Sequence, residues 1–195
     1  MNNEDKKPAP KRAIFLDRDG VMNVKLPEDH YVKELKEFTF LPNAVSALCI
    51  LKNLGYLLVI VTNQRGIARG YMTEEDLKKV HDFMVILLKQ EGAPLEAIYY
   101  CPHDTTDLCM CRKPRSGMIF NACNDLGINL ADSFMVGDSP SDMAAGKNAG
   151  TRTVRIGMKQ DPNADLTFPS LMDFAVYLKN QQEGSGSFCT ATPIT

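Results

Sequence analysis

Long apolar runs are missing from this 195-residue chain. None approaches the roughly 18 residues that a membrane-crossing helix needs, which argues against a chain threaded through a bilayer. Residues Met1 to Arg12 also lack the apolar stretch of a secretory signal. Charge of one sign is scarce: 22 Lys and Arg stand against 24 Asp and Glu, a net charge of −2. That balance argues against binding nucleic acid through bulk charge. There is no internal repeat, and no spacing long enough for a second domain or a large lid. These absences predict a monomeric cytoplasmic protein with no membrane partner. In a reducing compartment the six cysteines are read as thiols or metal ligands rather than disulfides.

What is present begins at Ala13. The apolar run Ala13 to Leu16 ends abruptly in Asp17–Arg18–Asp19–Gly20. A short apolar run closed by a turn signal reads as a buried strand. Side chains at i and i+2 share one side of an extended chain, so Asp17 and Asp19 are brought close. Two such carboxylates repel unless a cation or a shared proton intervenes, and the spacing suits Mg²⁺. Taken alone, the tetrapeptide reads equally well as a surface turn.

The remaining chain alternates strand and helix signals. A helix is expected from Pro42 to Gly55, with Val45, Leu48, Cys49 and Leu51 as its apolar stripe. Tyr56 to Val61 is almost wholly apolar, as in a strand covered on both faces. Thr73 followed by Glu74, Glu75 and Asp76 marks the start of another helix. Strands at Ala97–Tyr100, Ser133–Val136 and Thr151–Ile156 alternate with helices near 117–125 and 141–148, and Pro169 to Gln181 reads as the last helix. The pattern predicts an α/β fold with one doubly wound, Rossmann-like parallel sheet spanning 13–182. It leaves a flexible arm at 1–12 and a flexible tail at 183–195.

Three expected strand ends carry polar groups: Asp17 with Asp19, Thr62 with Asn63, and Asp138 with Asp142. In a parallel sheet such ends open on one edge. Arg112–Lys113 adds two cations. Carboxylates for a metal, with a hydroxyl, backbone N–H groups and a lysine for oxygens, suit a phosphate held beside Mg²⁺. Asp142 is read either as a cap for the following helix or as a support behind the site.

Asp17-x-Asp19-Gly20, then Thr62–Asn63, then Lys113, then Gly137-Asp138-x-x-x-Asp142 resembles the haloacid dehalogenase superfamily of phosphohydrolases. Within it, Asp29–His30–Tyr31–Val32, Thr62 to Gly70 and the Cys101 to Pro114 stretch resemble the heptose bisphosphate phosphatase branch and its sister, the histidinol-phosphate phosphatases. The resemblance implies the superfamily's fold without a large cap domain, and hydrolysis of a phosphorylated sugar, the 7-phosphate of a heptose 1,7-bisphosphate. Histidinol phosphate is the alternative substrate. It implies Asp17 as the nucleophile that forms an aspartyl-phosphate and Asp19 as the acid and base. Mg²⁺ would bind Asp17, the Asp19 carbonyl and Asp138. Thr62 and the Asn63 amide would hold phosphate oxygens, and Lys113 would neutralise the transferring group. Arg112 and Arg69 would meet the rest of the substrate.

Cys101, His103, Cys109 and Cys111 form a Cys₃His set suited to a closed, structural Zn²⁺ site. The spacings are tighter than those of common zinc fingers, and a group of loop cysteines without metal is the alternative. The resemblance favours zinc. Five residues separate His103 from Cys109, as in the histidinol-phosphate branch, whereas Arg65–Gly70 points to the heptose branch. Cys49 and Cys123 are expected as small core residues. Outside enzymes, the competing reading is a catalytically silent zinc-bearing binding module.

Overall fold

The structure is a computed structural model that describes residues 10–185. Its six strands form one parallel sheet in the order β3-β2-β1-β4-β5-β6. They are β1 (Ala13–Leu16), β2 (Leu57–Asn63), β3 (Ala97–Cys101), β4 (Phe134–Gly137), β5 (Arg152–Ile156) and β6 (Leu166–Phe168). The helices are α1 (Ala44–Asn53), α2 (Glu74–Gln90), α3 (Gly117–Leu126), α4 (Pro140–Ala149) and α5 (Leu171–Ser185).

The alternation of side chains along each strand sorts the core into two layers. Ile14, Leu16, Leu58, Ile60, Phe134 and Val136 face α1, α2 and α5. Ala13, Phe15, Val59, Val61 and Met135 face α3 and α4. Both faces are therefore covered, which is why β1 and β2 read as unbroken apolar runs. Each fully buried Ile, Leu or Phe contributes on the order of 2 kcal/mol, so this slab is the main stabilising element.

The chain runs outward from β1 through β2 to β3, then crosses back to β4. The direction of winding thus reverses between β1 and β4, and a crevice opens beyond their C-terminal ends. Asp17 follows β1 and Asp138 follows β4.

Several elements differ from the sequence reading. Asn43 has φ +60°, in the left-handed region, so α1 starts at Ala44 and Pro42 stays in the preceding turn. The buried stripe of α1 is accordingly Ala44, Ala47, Leu48 and Leu51, with Val45 and Cys49 only partly buried. Cys49 and Cys123 instead sit at the core's margin, where their thiols donate to the carbonyls of Glu91 and Ile128. The short edge strand β6 lies in a stretch without apolar periodicity. Helix α5 begins at Leu171 and runs to Ser185, into the segment expected as tail. At the other end Lys11 bridges Ile128, and the Arg12 guanidinium lies 4.3 Å over the Tyr56 ring, so both are docked. The rest of the expected arm and tail, with Cys189, lies outside the described residues.

Candidate active site

A cavity of about 490 Å³ lies over the C-terminal edge of the sheet, and Asp17, Asp19, Thr62, Asn63, Arg112 and Lys113 all line it. Asp17 continues the β1 ladder, its N–H donating to Val136 O at 2.9 Å. Its Oδ1 accepts the Arg18 N–H at 2.8 Å and lies 2.9 Å from Lys113 Nζ. Burial raises the Asp17 carboxyl, and Asp142 and Asp19 add to that rise. The Lys113 ammonium opposes it, leaving Asp17 at about 7.

Lys113 is almost fully buried. Its ammonium bridges Asp17 Oδ1 and Asp142 Oδ1, the latter at 2.7 Å, and donates to Val61 O at 2.7 Å. Burial lowers its pKa, but the two carboxylates outweigh that and keep it charged. Asn63 fixes the lysine's backbone: Lys113 N–H donates to Asn63 Oδ1 at 3.0 Å, and Asn63 Nδ2 donates to Lys113 O at 3.1 Å. The Asn63 side chain is thus occupied in clasping Lys113.

Asp142 serves both alternatives read for it. Its Oδ2 accepts from Ser139 N–H and Oγ at 3.0 and 2.6 Å, capping α4, while Oδ1 meets Lys113. Gly137 makes room for this, since a Cβ there would lie 2.1 Å from Asp142 Cβ. Gly20 likewise has φ +92° and would place a Cβ 2.4 Å from Asp138 Oδ2.

The Asp19 carboxylate has a separate set of partners. Arg18 Nη2 donates to both of its oxygens, at 3.0 and 2.9 Å, and Asn23 and Gln64 donate at 2.8 and 3.1 Å. Burial would raise its carboxyl, but Arg18 and these hydrogen bonds outweigh it and hold Asp19 below the usual carboxylate value. The Thr62 hydroxyl accepts from Gln64 Nε2 at 3.0 Å. Arg112 Nη1 donates to His103 O at 3.1 Å. Arg69 does not line the cavity; its guanidinium pairs with Asp29 and Asp104 instead. Arg65 shares Asp29 and donates to the Tyr31 hydroxyl at 3.1 Å.

Two clusters have the make-up of cation sites. Carboxylate oxygens of Asp17, Asp138 and Asp142 lie within 4.8 Å of one another. Thiols of Cys101, Cys109 and Cys111 and a ring nitrogen of His103 do the same.

A family model described as HAD-hydrolase-like matches residues 110–171. The chain is 42% identical to the D-glycero-beta-D-manno-heptose-1,7-bisphosphate 7-phosphatase of Haemophilus ducreyi, over 86% of this chain and 98% of that protein. It is 41% identical to the Escherichia coli K12 protein of that name, over 88% and 95%. Its structure is similar to that of the D,D-heptose 1,7-bisphosphate phosphatase from B. bronchiseptica, complexed with magnesium and phosphate. The TM-score is 0.80 and the identity 32%, covering 87% of this chain and 99% of that one. The chain belongs to the heptose bisphosphate phosphatase family of haloacid dehalogenase-like hydrolases.

Magnesium, the family's implied metal, fits the carboxylate group on physical grounds. Asp138 Oδ1 is buried and has no hydrogen-bond partner among the described residues, and its Oδ2 is met by the Lys25 ammonium at 2.6 Å. Oxygen donors in this number suit a small hard cation. Asp19, whose backbone carbonyl is the expected magnesium ligand, has its carboxylate taken by Arg18, Asn23 and Gln64.

The cysteine cluster fits a four-coordinate soft cation. Cys101 Sγ lies 3.6 and 3.3 Å from Cys109 and Cys111 Sγ, and 3.5 Å from His103 Nδ1. A zinc tetrahedron with Zn–S bonds of about 2.3 Å has edges of about 3.8 Å, close to these values. Burial pushes the Cys101 thiol up to about 12, so a thiolate there needs a cation beside it.

Sequence reasoning missed Arg18, Gln64 and Lys25. Arg18 and Gln64 carried a signal, as polar residues beside a motif at the end of an apolar strand. Lys25 carried none.

Proposed function

We propose that this protein is a magnesium-dependent phosphatase that removes the 7-phosphate of D-glycero-β-D-manno-heptose 1,7-bisphosphate through an aspartyl-phosphate. The observation that carries this reading is the convergence of Asp17, Asp138 and Lys113 on one rim of the sheet, in a chain at least 40% identical to such enzymes over most of its length.

Asp17, Asp138 and the Asp19 carbonyl would hold magnesium, which supplies the positive charge that lets an anionic nucleophile approach a phosphate. A carboxylate oxygen of Asp17 attacks phosphorus as the bond to the sugar oxygen breaks, and the proton for that leaving oxygen comes from Asp19. Water then attacks the phosphorus of the aspartyl-phosphate and gives its proton back to Asp19. Phosphate leaves and Asp17 is restored. Arg18 holds Asp19 ionised, the form that accepts the water's proton. The proton that Asp19 delivers to a leaving oxygen is the one it took from water in the preceding turnover, kept as the substrate oxygen replaces part of the Arg18 grip. The Thr62 hydroxyl and Lys113 balance charge on the transferring group, and Arg112 faces the rest of the sugar. Arg69 acts indirectly, through Asp29 and Asp104 at the rim. The enzyme would work as a cytoplasmic monomer.

A substrate panel tests this reading. With Mg²⁺, the β-anomer of the heptose bisphosphate should show a higher kcat/KM than the α-anomer and than histidinol phosphate. A higher value for histidinol phosphate would move the chain to the sister branch.

Zinc held by Cys101, His103, Cys109 and Cys111 belongs to the same proposal. The ion would brace a loop that lacks a core of its own and aim Arg112 and Lys113, which follow directly. Elemental analysis should find about one zinc per chain. Cys111→Ala should remove it, expose the 101–115 loop to protease and lower kcat/KM by about 10-fold or more. A zinc-free preparation with full activity would contradict the assignment.

A further inference from the structure

Arg18 is fully buried beside the reacting carboxylates, and its guanidinium has five N–H bonds to place. Nε and Nη2 grip Asp19, and Nη2 also reaches Gln64 Oε1 at 3.4 Å. The far end, Nη1, lies 3.2 Å from His81 Nε2. Arginine only donates, so this ring nitrogen accepts and the ring proton sits on Nδ1.

His81 comes from the middle of α2, and no sequence motif marks it. It is buried on the helix face that also holds Leu77, Val80 and Met84, beside a pocket that Glu74, Glu75, Lys78, Asp82 and Tyr100 line with it. Burial and the Arg18 charge hold the ring far below the usual histidine value, at about 3, against the opposing pull of Asp19 and Asp82. Tyr100 of β3 packs edge-on at 6.0 Å with its hydroxyl turned to Glu74, and Lys78 lies on the same side. A neutral acceptor is therefore fixed against the guanidinium.

We propose that His81 is a positioning residue for Asp19, acting through Arg18. A guanidinium held only at its Asp19 edge can pivot with that carboxylate. Held at both ends, it presents Asp19 to the substrate oxygen at one angle, which is how an outer group tunes a reacting one. The inference rests on Asp19 being the proton carrier of the proposed reaction. A purely packing role for His81 would be met as well by leucine as by glutamine, whereas the positioning role needs an acceptor.

The test measures kcat and KM on the heptose bisphosphate, with magnesium, for the full chain and three variants. Asp19→Asn should lose about 100-fold or more in kcat. His81→Leu should lower kcat by about 10- to 100-fold with KM within about threefold, and His81→Gln, whose amide oxygen can accept, should stay within about threefold of the parent. An inactive Asp19→Asn beside an unaffected His81→Leu would overturn the positioning role alone. Equal losses in the Leu and Gln variants would do the same. An active Asp19→Asn would instead remove the proton carrier on which the proposal stands.

A second measurement needs no variant. Nitrogen NMR of the unaltered protein should show the His81 ring neutral, with the proton on Nδ1, from pH 8 to about pH 5. Protonation near pH 6, or a proton on Nε2, would overturn the assignment.

Discussion

Asp17→Asn should abolish phosphoester hydrolysis and leave the fold intact. An amide oxygen can still accept the Arg18 N–H that Asp17 Oδ1 accepts at 2.8 Å, so the turn after β1 keeps its local bond. The amide is not a competent nucleophile, and the aspartyl-phosphate cannot form. Loss of a nucleophile from a concerted site costs about 10³-fold or more in kcat. The same change removes one negative charge from a crowded acidic group. Burial and the neighbouring carboxylates already work against ionising Asp17. The thermal midpoint should therefore hold steady or rise, as expected where a site is arranged for chemistry at some cost in stability. Phosphate release and a thermal melt on one preparation check both halves. A variant keeping a tenth of the parent's kcat would exclude Asp17 as nucleophile.

Lys113→Met should damage stability and activity together. The lysine's stem is buried, and methionine fills a similar volume. What is lost is the ammonium shared by Asp17, Asp142 and the Val61 carbonyl. Removing one partner of a buried ionic group leaves its carboxylates unpaired, which costs on the order of 3–5 kcal/mol. Denaturant unfolding at neutral pH measures that loss. The pH dependence of turnover carries a second signature. Lys113 pulls the Asp17 carboxyl down against burial, so its removal sends Asp17 above its present value of about 7. Only the ionised carboxylate attacks, so the acid limb of kcat/KM should move to higher pH. An unshifted limb would show that Lys113 acts on the phosphate without setting the charge state of Asp17.

The sheet and its polar strand ends were legible because parallel strands covered on both faces leave no polar positions, and polar residues then stand out where each strand ends. Asp17, Thr62 and Asp138 were found in that way. Asp142 was half legible: helix start and Lys113 partner look the same in sequence, and the structure makes it both. The directions of side chains were not legible. Asn63 turns to the Lys113 backbone and Arg69 to Asp29 and Asp104, since partners 35 to 50 residues away decide where they point. Lys25 and His81 sit in a loop and on a helix face without motif, where only the folded arrangement shows what they meet. The edge strand β6 escaped notice because three residues are too few for a period to appear.

Helix α5 lays Leu171, Phe174, Ala175 and Leu178 against the layer that also holds Tyr56 and Phe134. The apolar underside of the sheet is thus closed by the last helix of the described chain. A nascent polypeptide emerging from the ribosome would carry every catalytic group long before this flank is sealed. Strands emerge in the order β1 to β6, yet β1 gains its neighbour β4 only after about 120 further residues. Until Leu171 to Leu178 have followed, the sheet's greasy flank is open to chaperones and to other chains.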